Sequence, residues 1–457
     1  MTTDERLIDY FSQHRDRILG DYFELLRFPT ISSDPARLGD CARCATWLRQ
    51  HLRRLGFAAE IVLAGDQPLL IAERPGSPHA PSVLFYGHYD VQPVDPLDLW
   101  RTSPFEPVLT GERVFARGAQ DNKGQIFAFL TGVAALIESG ATLPTLRVIL
   151  DSQEESGSRA LRDHLPTLKR RLAADILLVC DTGLHSSGRF AITAGLRGLA
   201  HLTVRLAGPG YDLHSGTHGG VAPNPAQALA RLLATLHHED GRIAVEGFLD
   251  GLVPPTDAER RQAMALPFDP EAYTRSTGTL PSGGERGLDP VERGSFRPTI
   301  EINGLVSGHT GPGIKTIIPA TATAKLSMRL CPGQSPAHVL RAVTAHLKRQ
   351  VPPGLTIEIA DAESHGSGIR LPLDSPLVQI AAGVLERMAG EPPVFLWEGA
   401  SIPVVAALWE QTGAAPLLVG FGSEEDRVHA PNESFSLAQF QQALRFSGLF
   451  LAELVAP

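Results

Sequence analysis

Short, continuous apolar runs bounded by Gly, Pro and Asp alternate along the chain with stretches whose apolar residues recur every three or four positions. That texture predicts strands alternating with helices. Four runs are clear strand candidates: Val83–Tyr86, Leu146–Leu150, Ile176–Cys180 and, far away near the C-terminus, Leu417–Phe421. Runs without polar interruption are what strands need when helices cover both faces. Helical spacing is strong over Asp40–Gly56, where Cys41, Cys44, Trp47, Leu48, His51, Leu52 and Leu55 share a face. It is strong again after Asp121, where Ile126, Phe127, Leu130, Val133, Ala134 and Ile137 do so.

The pattern changes near Gly195. His201–Ala207 and Thr321–Leu330 alternate apolar with polar residues, as half-exposed antiparallel strands do, while Ala226–His237 and Pro336–Arg349 have helical spacing. Residues 240–298 are rich in Pro, Gly and charge and give no assignment. After Pro376 the buried-strand texture returns. The expected fold is therefore an α/β domain with a central, mostly parallel sheet, built from residues 1–195 and 367–457. A smaller α+β domain, 196–366, interrupts it. The sequence has no internal repeat or low-complexity tract.

Composition narrows the function classes. The 457 residues are 43% hydrophobic and 20% charged, a folded chain long enough for two or three domains. The formal net charge of −9 is not gathered into runs, and no basic stripe exists to hold nucleic acid or anionic membrane. No window approaches the ~18 consecutive apolar residues of a membrane span. The first residues are polar, without the apolar core of a signal peptide. Four cysteines make no disulfide framework. Cys41 and Cys44 form a CxxC, but inside an amphipathic helix it reads as a buried face and not as a redox or zinc motif. The expected compartment is the cytoplasm.

Candidate chemistry follows the strands. Val83–Tyr86 runs into Gly87-His88-Tyr89-Asp90, Leu146–Leu150 into Asp151-Ser152-Gln153-Glu154-Glu155, and Ile176–Cys180 into Asp181. Leu417–Phe421 leads within a few residues to His429, and Asp121 opens a helix. Ligands of open α/β sheets bind beyond the carboxyl ends of the strands, so these groups converge. Two imidazoles with several carboxylates and no basic partner nearby form a costly cluster, and a pair of divalent cations resolves the conflict. Mixed His and carboxylate donors suit zinc best, with manganese or cobalt as substitutes. Each fragment alone is commonplace; their joint placement is not.

Gly87-His88-Tyr89-Asp90-Val91, Gly118-Ala119-Gln120-Asp121-Asn122-Lys123-Gly124 and Glu154-Glu155-Ser156-Gly157-Ser158 resemble the signature segments of the M20 metallopeptidases, the aminoacylase/carboxypeptidase G2/carnosinase group. The similarity continues through Asp212–Gly216, Gly313–Pro319, Met328–Leu330, Glu398–Pro403 and His429–Glu433, most like the carnosinase-type dipeptidases. The resemblance implies two zinc ions bridged by Asp121, one completed by His88 and Asp181 and the other by Glu155 and His429. Glu154 would be the catalytic base, and Asp90 would accept the other N–H of His88 and fix its tautomer. A cis peptide is expected after Asp121. The inserted domain would act as lid and dimerisation domain. Its His214 would donate to the oxyanion of the partner subunit's site, and Arg329, with Thr316 and Ser401, would hold the substrate carboxylate. His218, His237, His238, His309 and His365 read as ordinary surface residues. The expected activity is hydrolysis of dipeptides or short peptides with a free C-terminus; the alternative is an amidohydrolase acting on N-acyl or N-carbamoyl amino acids.

Overall fold

The computed structural model describes residues 1–399 and 402–455. The chain divides into two compact units, Met1–Ala194 with Leu371–Leu396 and Val404–Pro457, and Gly195–Arg370 with Trp397–Pro403. Expected boundaries put 367–370 and 397–403 with the first unit; both cluster with the second.

In the first unit the chain lays down β1 (Ala58–Ala64), β2 (Gln67–Arg74), β3 (Val83–His88), β4 (Leu146–Asp151) and β5 (Ile176–Val179). The second unit contributes β6 (Gly198–Ala207), β7 (Thr299–Ser307), β8 (Thr321–Leu330) and β9 (Thr356–Gly366) before the chain returns to the first through β10 (Ala415–Leu418). The first sheet has the order β1-β2-β4-β3-β5-β10. Its pairings β4/β3, β3/β5 and β5/β10 are parallel, and the hairpin end β1/β2/β4 is antiparallel. The sheet is therefore mixed, with its parallel half carrying the polar strand ends.

The continuous apolar character of β3 has the expected cause: all six residues, Val83 to His88, are buried. Helix Lys123–Glu138 is buried almost all round, packing against β3 and against helices Thr3–Leu26 and Leu437–Glu453. Its Gly132 is dictated by the last contact, because a Cβ would come within 2.7 Å of the Leu444 carbonyl. Phe85 and Phe129 stack with centroids 3.8 Å apart, and truncating either would cost about 3–5 kcal/mol. Cys41 and Cys44 are free, buried thiols in helix Leu38–Arg54, each pushed up to about 12 by burial, a packing role and not a reactive one.

Strand β10 ends at Leu418, three residues earlier than the apolar run predicts. Gly420 is the reason: a Cβ there would overlap the Thr182 backbone, and the Phe421 N–H is taken by the Gln125 side chain at 2.9 Å. The apolar side chains of Val419 and Phe421 stay buried although the ladder has stopped.

In the second unit the sheet order is β7-β8-β6-β9, all antiparallel. One face packs Leu202, Val204, Leu206, Ala324, Leu326 and Met328 against helices Pro225–Ala234 and Pro336–Arg349. Alternate positions, among them His201, Thr203, Ser327 and Arg329, carry the other face. Between 240 and 298 lie three short helices, Asp257–Ala263, Pro270–Thr277 and Pro290–Phe296, capped by Thr256, Asp269 and Asp289. No helix among the described residues is long and apolar enough to cross a membrane.

Candidate metal centre and active site

The parallel strands deliver their polar ends side by side. His88 is the last residue of β3, level with Asp151 at the end of β4, and Asp181 lies just past β5. Asp121 precedes helix Lys123–Glu138 and is joined to Asn122 by a cis peptide. Glu154 and Glu155 form a single tight turn after β4. His429 sits in a loop where Arg427, His429 and Asn432 all have left-handed backbones. That loop is held by Asn432, whose side chain accepts from the Arg101 N–H at 2.7 Å and donates to the Leu99 carbonyl at 2.9 Å.

Asp121 stands between two sets of donors. Its Oδ1 lies 3.1 Å from His88 Nε2, which is 3.6 Å from Asp181 Oδ2. Its Oδ2 lies 2.9 Å from His429 Nε2, which is 3.3 Å from Glu155 Oε2. The sets His88–Asp121–Asp181 and Asp121–Glu155–His429 each bring three donor atoms within 4.8 Å of one another. All except His429 are buried or nearly so.

Burial and mutual contact shift His88, Asp121, Asp181 and His429. Burial alone would raise Asp121, but hydrogen bonds from His429 and His88 hold its carboxyl below the usual range. Burial likewise opposes the charged form of His88, yet Asp181, Asp121 and Asp90 hold it well above an ordinary imidazole, and the bond to Asp121 lifts His429 to about 10. Asp181 is pushed up to about 6 by burial and Glu154 well above the carboxylate range by the same cause. Among the described residues, the ion-pair partners of Asp121, Asp181 and Glu155 are histidines only. Two imidazoles and three carboxylates, one of them shared, fit a pair of divalent cations in donor type and number.

Three buried residues position these donors. Asp90 Oδ1 and Oδ2 accept from the N–H groups of Glu154 and Glu155, both at 3.1 Å, and its Oδ1 lies 3.3 Å from His88 Nδ1. One carboxylate thus sets both the imidazole and the Glu-Glu turn. Asn122 donates to the Cys180 carbonyl at 2.7 Å and to Asp181 Oδ1 at 2.6 Å. Glu433 is the third. Its Oε1 accepts from the N–H groups of Gln120 and Asp121 at 3.0 and 3.1 Å; its Oε2 accepts from Gly118 N–H at 3.0 Å and Arg117 Nη1 at 2.8 Å. The sequence reading assigned no role to Asn122 or Glu433. Both stand inside segments that resemble the family's, Gly118–Gly124 and His429–Glu433, but nothing local in the sequence names their hydrogen-bond partners.

The remaining expected residues lie in the second unit, apart from Ser401, which is outside the described residues. His214 ends a two-residue strand paired with Ile317, and its Nδ1 accepts from the Gly216 N–H at 3.1 Å. Thr316 lies just before that ladder, its carbonyl accepting from Ser215 N–H at 3.0 Å. Arg329 lies on β8, half-buried, opposite Thr299 and Leu199.

Known proteins share both sequence and architecture with this chain. The rat Beta-Ala-His dipeptidase is 28% identical over 98% of this chain and 95% of its own length. The Cys-Gly metallodipeptidase of Schizosaccharomyces pombe is 26% identical over 99% and 98%. Among solved structures, an M20 family metallo-carboxypeptidase from Sulfolobus solfataricus superposes with a TM-score of 0.84 at 28% identity, covering 96% of this chain and 99% of that one. Human carnosine dipeptidase 1 gives 0.77 at 26%, covering 99% of both. The model of peptidase family M20/M25/M40 matches residues 84–453, which takes in every residue gathered around Asp121, and the chain belongs to that family of metallopeptidases.

Proposed function

We propose that this enzyme hydrolyses dipeptides and other short peptides with a free C-terminal carboxylate, using two divalent cations, zinc by preference, and Glu154 as the base. The observation that carries the reading is the placement of Asp121, whose two oxygens face two different donor sets. His88, Asp121 and Asp181 would hold one ion and Asp121, Glu155 and His429 the other; manganese or cobalt would suit the same donors. Such ions, when bound, polarise the scissile carbonyl and acidify water. Glu154 takes the proton of the attacking water and later delivers it to the departing amine nitrogen. His214 donates to the oxyanion, and the fork of Arg329, helped by Thr316 and Ser401, holds the substrate carboxylate.

The inserted unit has a second role in this reading, that of lid and dimerisation domain. Strand β7 is a sheet edge that exposes Ile302, Leu305 and Val306, a row that a second copy of the chain would cover. His214 then serves the site of the partner. Hydrolysis of N-acyl or N-carbamoyl amino acids is the less favoured reading, because the relatives matched over nearly their full length include two dipeptidases.

Substrate amidation tests the reading at Arg329. Converting the C-terminal carboxylate of a good dipeptide to its amide should lower kcat/KM by ~10-fold or more, and Arg329→Ala should erase most of that difference, since a charge-assisted pair contributes about 1.5–3 kcal/mol. Equal cleavage of acid and amide by the wild type would exclude this role.

A further inference from the structure

We infer that His201, Glu363 and His365 form a further cation site, on the inserted unit, for a single divalent ion of the zinc class. The residues differ from all those gathered at Asp121. His365 is no ordinary surface histidine. Its Nε2 lies 2.8 Å from His201 Nδ1 on the neighbouring strand and 3.8 Å from Glu363 Oε2. The three donor atoms all lie within 4.8 Å of one another.

The backbone has been rearranged to bring them together. In β9, Ile357 and Ile359 pair with Leu206 and Val204 on the helix-covered face, while Glu358 and Ala360 pair with Arg205 and Thr203 on the other. Had the alternation continued, Glu363 and His365 would have turned toward the helices with the isoleucines. A bulge between Ala360 and Glu363 inserts one residue, so that Glu363, and not Ala362, stands opposite His201. A second irregularity, between Ser364 and Gly366, makes His365 the extra residue of the ladder. The first bulge is pinned at Asp361, which has a left-handed backbone and accepts from Thr203 Oγ1 at 2.9 Å. A left-handed non-glycine residue costs on the order of 1 kcal/mol, and the bulges give up regular pairing. What these distortions achieve is one carboxylate and one imidazole beside His201.

The chemistry and spacing fit a metal. Two imidazoles and a carboxylate are a zinc donor set, and the edge of a tetrahedron with metal–ligand bonds of ~2.0–2.1 Å is about 3.3 Å. The 2.8 Å between the rings is a hydrogen bond that the ion would replace by opening it about 0.5 Å, and the 3.8 Å to Glu363 would close by about as much. Three protein donors leave a fourth position for water or an outside ligand, and Glu363, with half of its side chain exposed, puts that position toward solvent. Nickel and copper would compete for the same donors.

Zinc uptake by the full chain from a zinc buffer tests the site. Asp121→Ala protein, expected to release both ions of the Asp121 cluster, should still bind one equivalent; Asp121→Ala/His365→Asn protein should bind none. Circular dichroism must first show that the two fold alike. If Asp121→Ala does not fold, wild type against His365→Asn decides, with a loss of one equivalent expected. Zinc-edge anomalous scattering from wild-type crystals should place a peak between the two rings, ~2.0–2.3 Å from each donor. Equal uptake by proteins with and without His365, or no peak between the rings at saturating zinc, overturns the site. Failure of the Asp121 reading would look different: Asp121→Ala would then keep every ion that the wild type binds.

Discussion

Glu433 touches none of the six residues His88, Asp121, Glu154, Glu155, Asp181 and His429 through their side chains, yet its replacement should loosen the metals. Its side chain is 1% exposed and receives four donors: Arg117 and the N–H groups of Gly118, Gln120 and Asp121. Glu433→Gln preserves the volume but turns one acceptor oxygen into an NH2 group. Whichever way the amide is oriented, two of the four donors then face another donor. The Arg117 guanidinium, 2% exposed, loses the one carboxylate partner it has among the described residues, keeping the Pro93 carbonyl at 3.0 Å and the Trp100 ring at 5.3 Å. Breaking one partner of a buried ion pair costs about 3–5 kcal/mol. Because the affected segment carries Asp121, part of that cost should appear as weakened binding at both proposed cation positions, by ~10–100-fold, the usual effect of removing a group that orients metal ligands.

The assay pairs chelator competition, which reads metal affinity, with denaturant unfolding of the metal-loaded protein. Glu433→Asp keeps the charge but shortens the reach by one methylene, so it should fall between wild type and Gln in both measurements. Metal affinity within about twofold of wild type in Glu433→Gln, despite lowered stability, would show that Glu433 supports the fold without positioning Asp121.

Other consequences can be checked directly. Glu154→Gln would remove the proposed base without removing a donor, so activity should fall by ~10² or more while metal content stays at the wild-type level; loss of metal would mean that the adjacent glutamates have exchanged roles. Burial, aided by Arg54 and Arg17, pushes His51 down to about 4, while the unfolded chain takes up that proton near 6.5. Stability should be full above pH ~6.5 and fall by about 3 kcal/mol as the pH drops to 4, and His51→Gln should flatten that slope; parallel slopes would refute the assignment. If His214 serves the partner's site, mixing His214→Ala with Glu154→Gln protein under proven subunit exchange should restore activity, because one site of the heterodimer then lacks neither group.

How much of this was legible in the residues depends on what each element answers to. Strands β3, β4 and β5 are buried along almost their whole length, so polar positions other than Arg147 of β4 are absent from them, and the acids and imidazoles at their ends stood out by contrast. The short helices of 240–298 were missed for the opposite reason. Seven or eight residues are too few to show an apolar period, although Asp269-Pro270, Asp289-Pro290 and the pair Thr256/Glu259 carry the caps that start them. Glu433 and Asn122 stand in family-like segments whose local pattern gives them no partner, and the His201–His365 pair has no local pattern at all. Glu433 meets Asp121 from 312 residues away, and His365 reaches His201 because the bulge after Ala360 reverses the parity that the start of β9 sets, with His365 itself the extra residue of a second one. Chemistry that depends on the ends of buried strands announces itself in sequence. Chemistry that depends on register and on distant carboxylates exists only once the chain has folded, and there the hydrogen-bond partners, not the motif, identify the residues that matter.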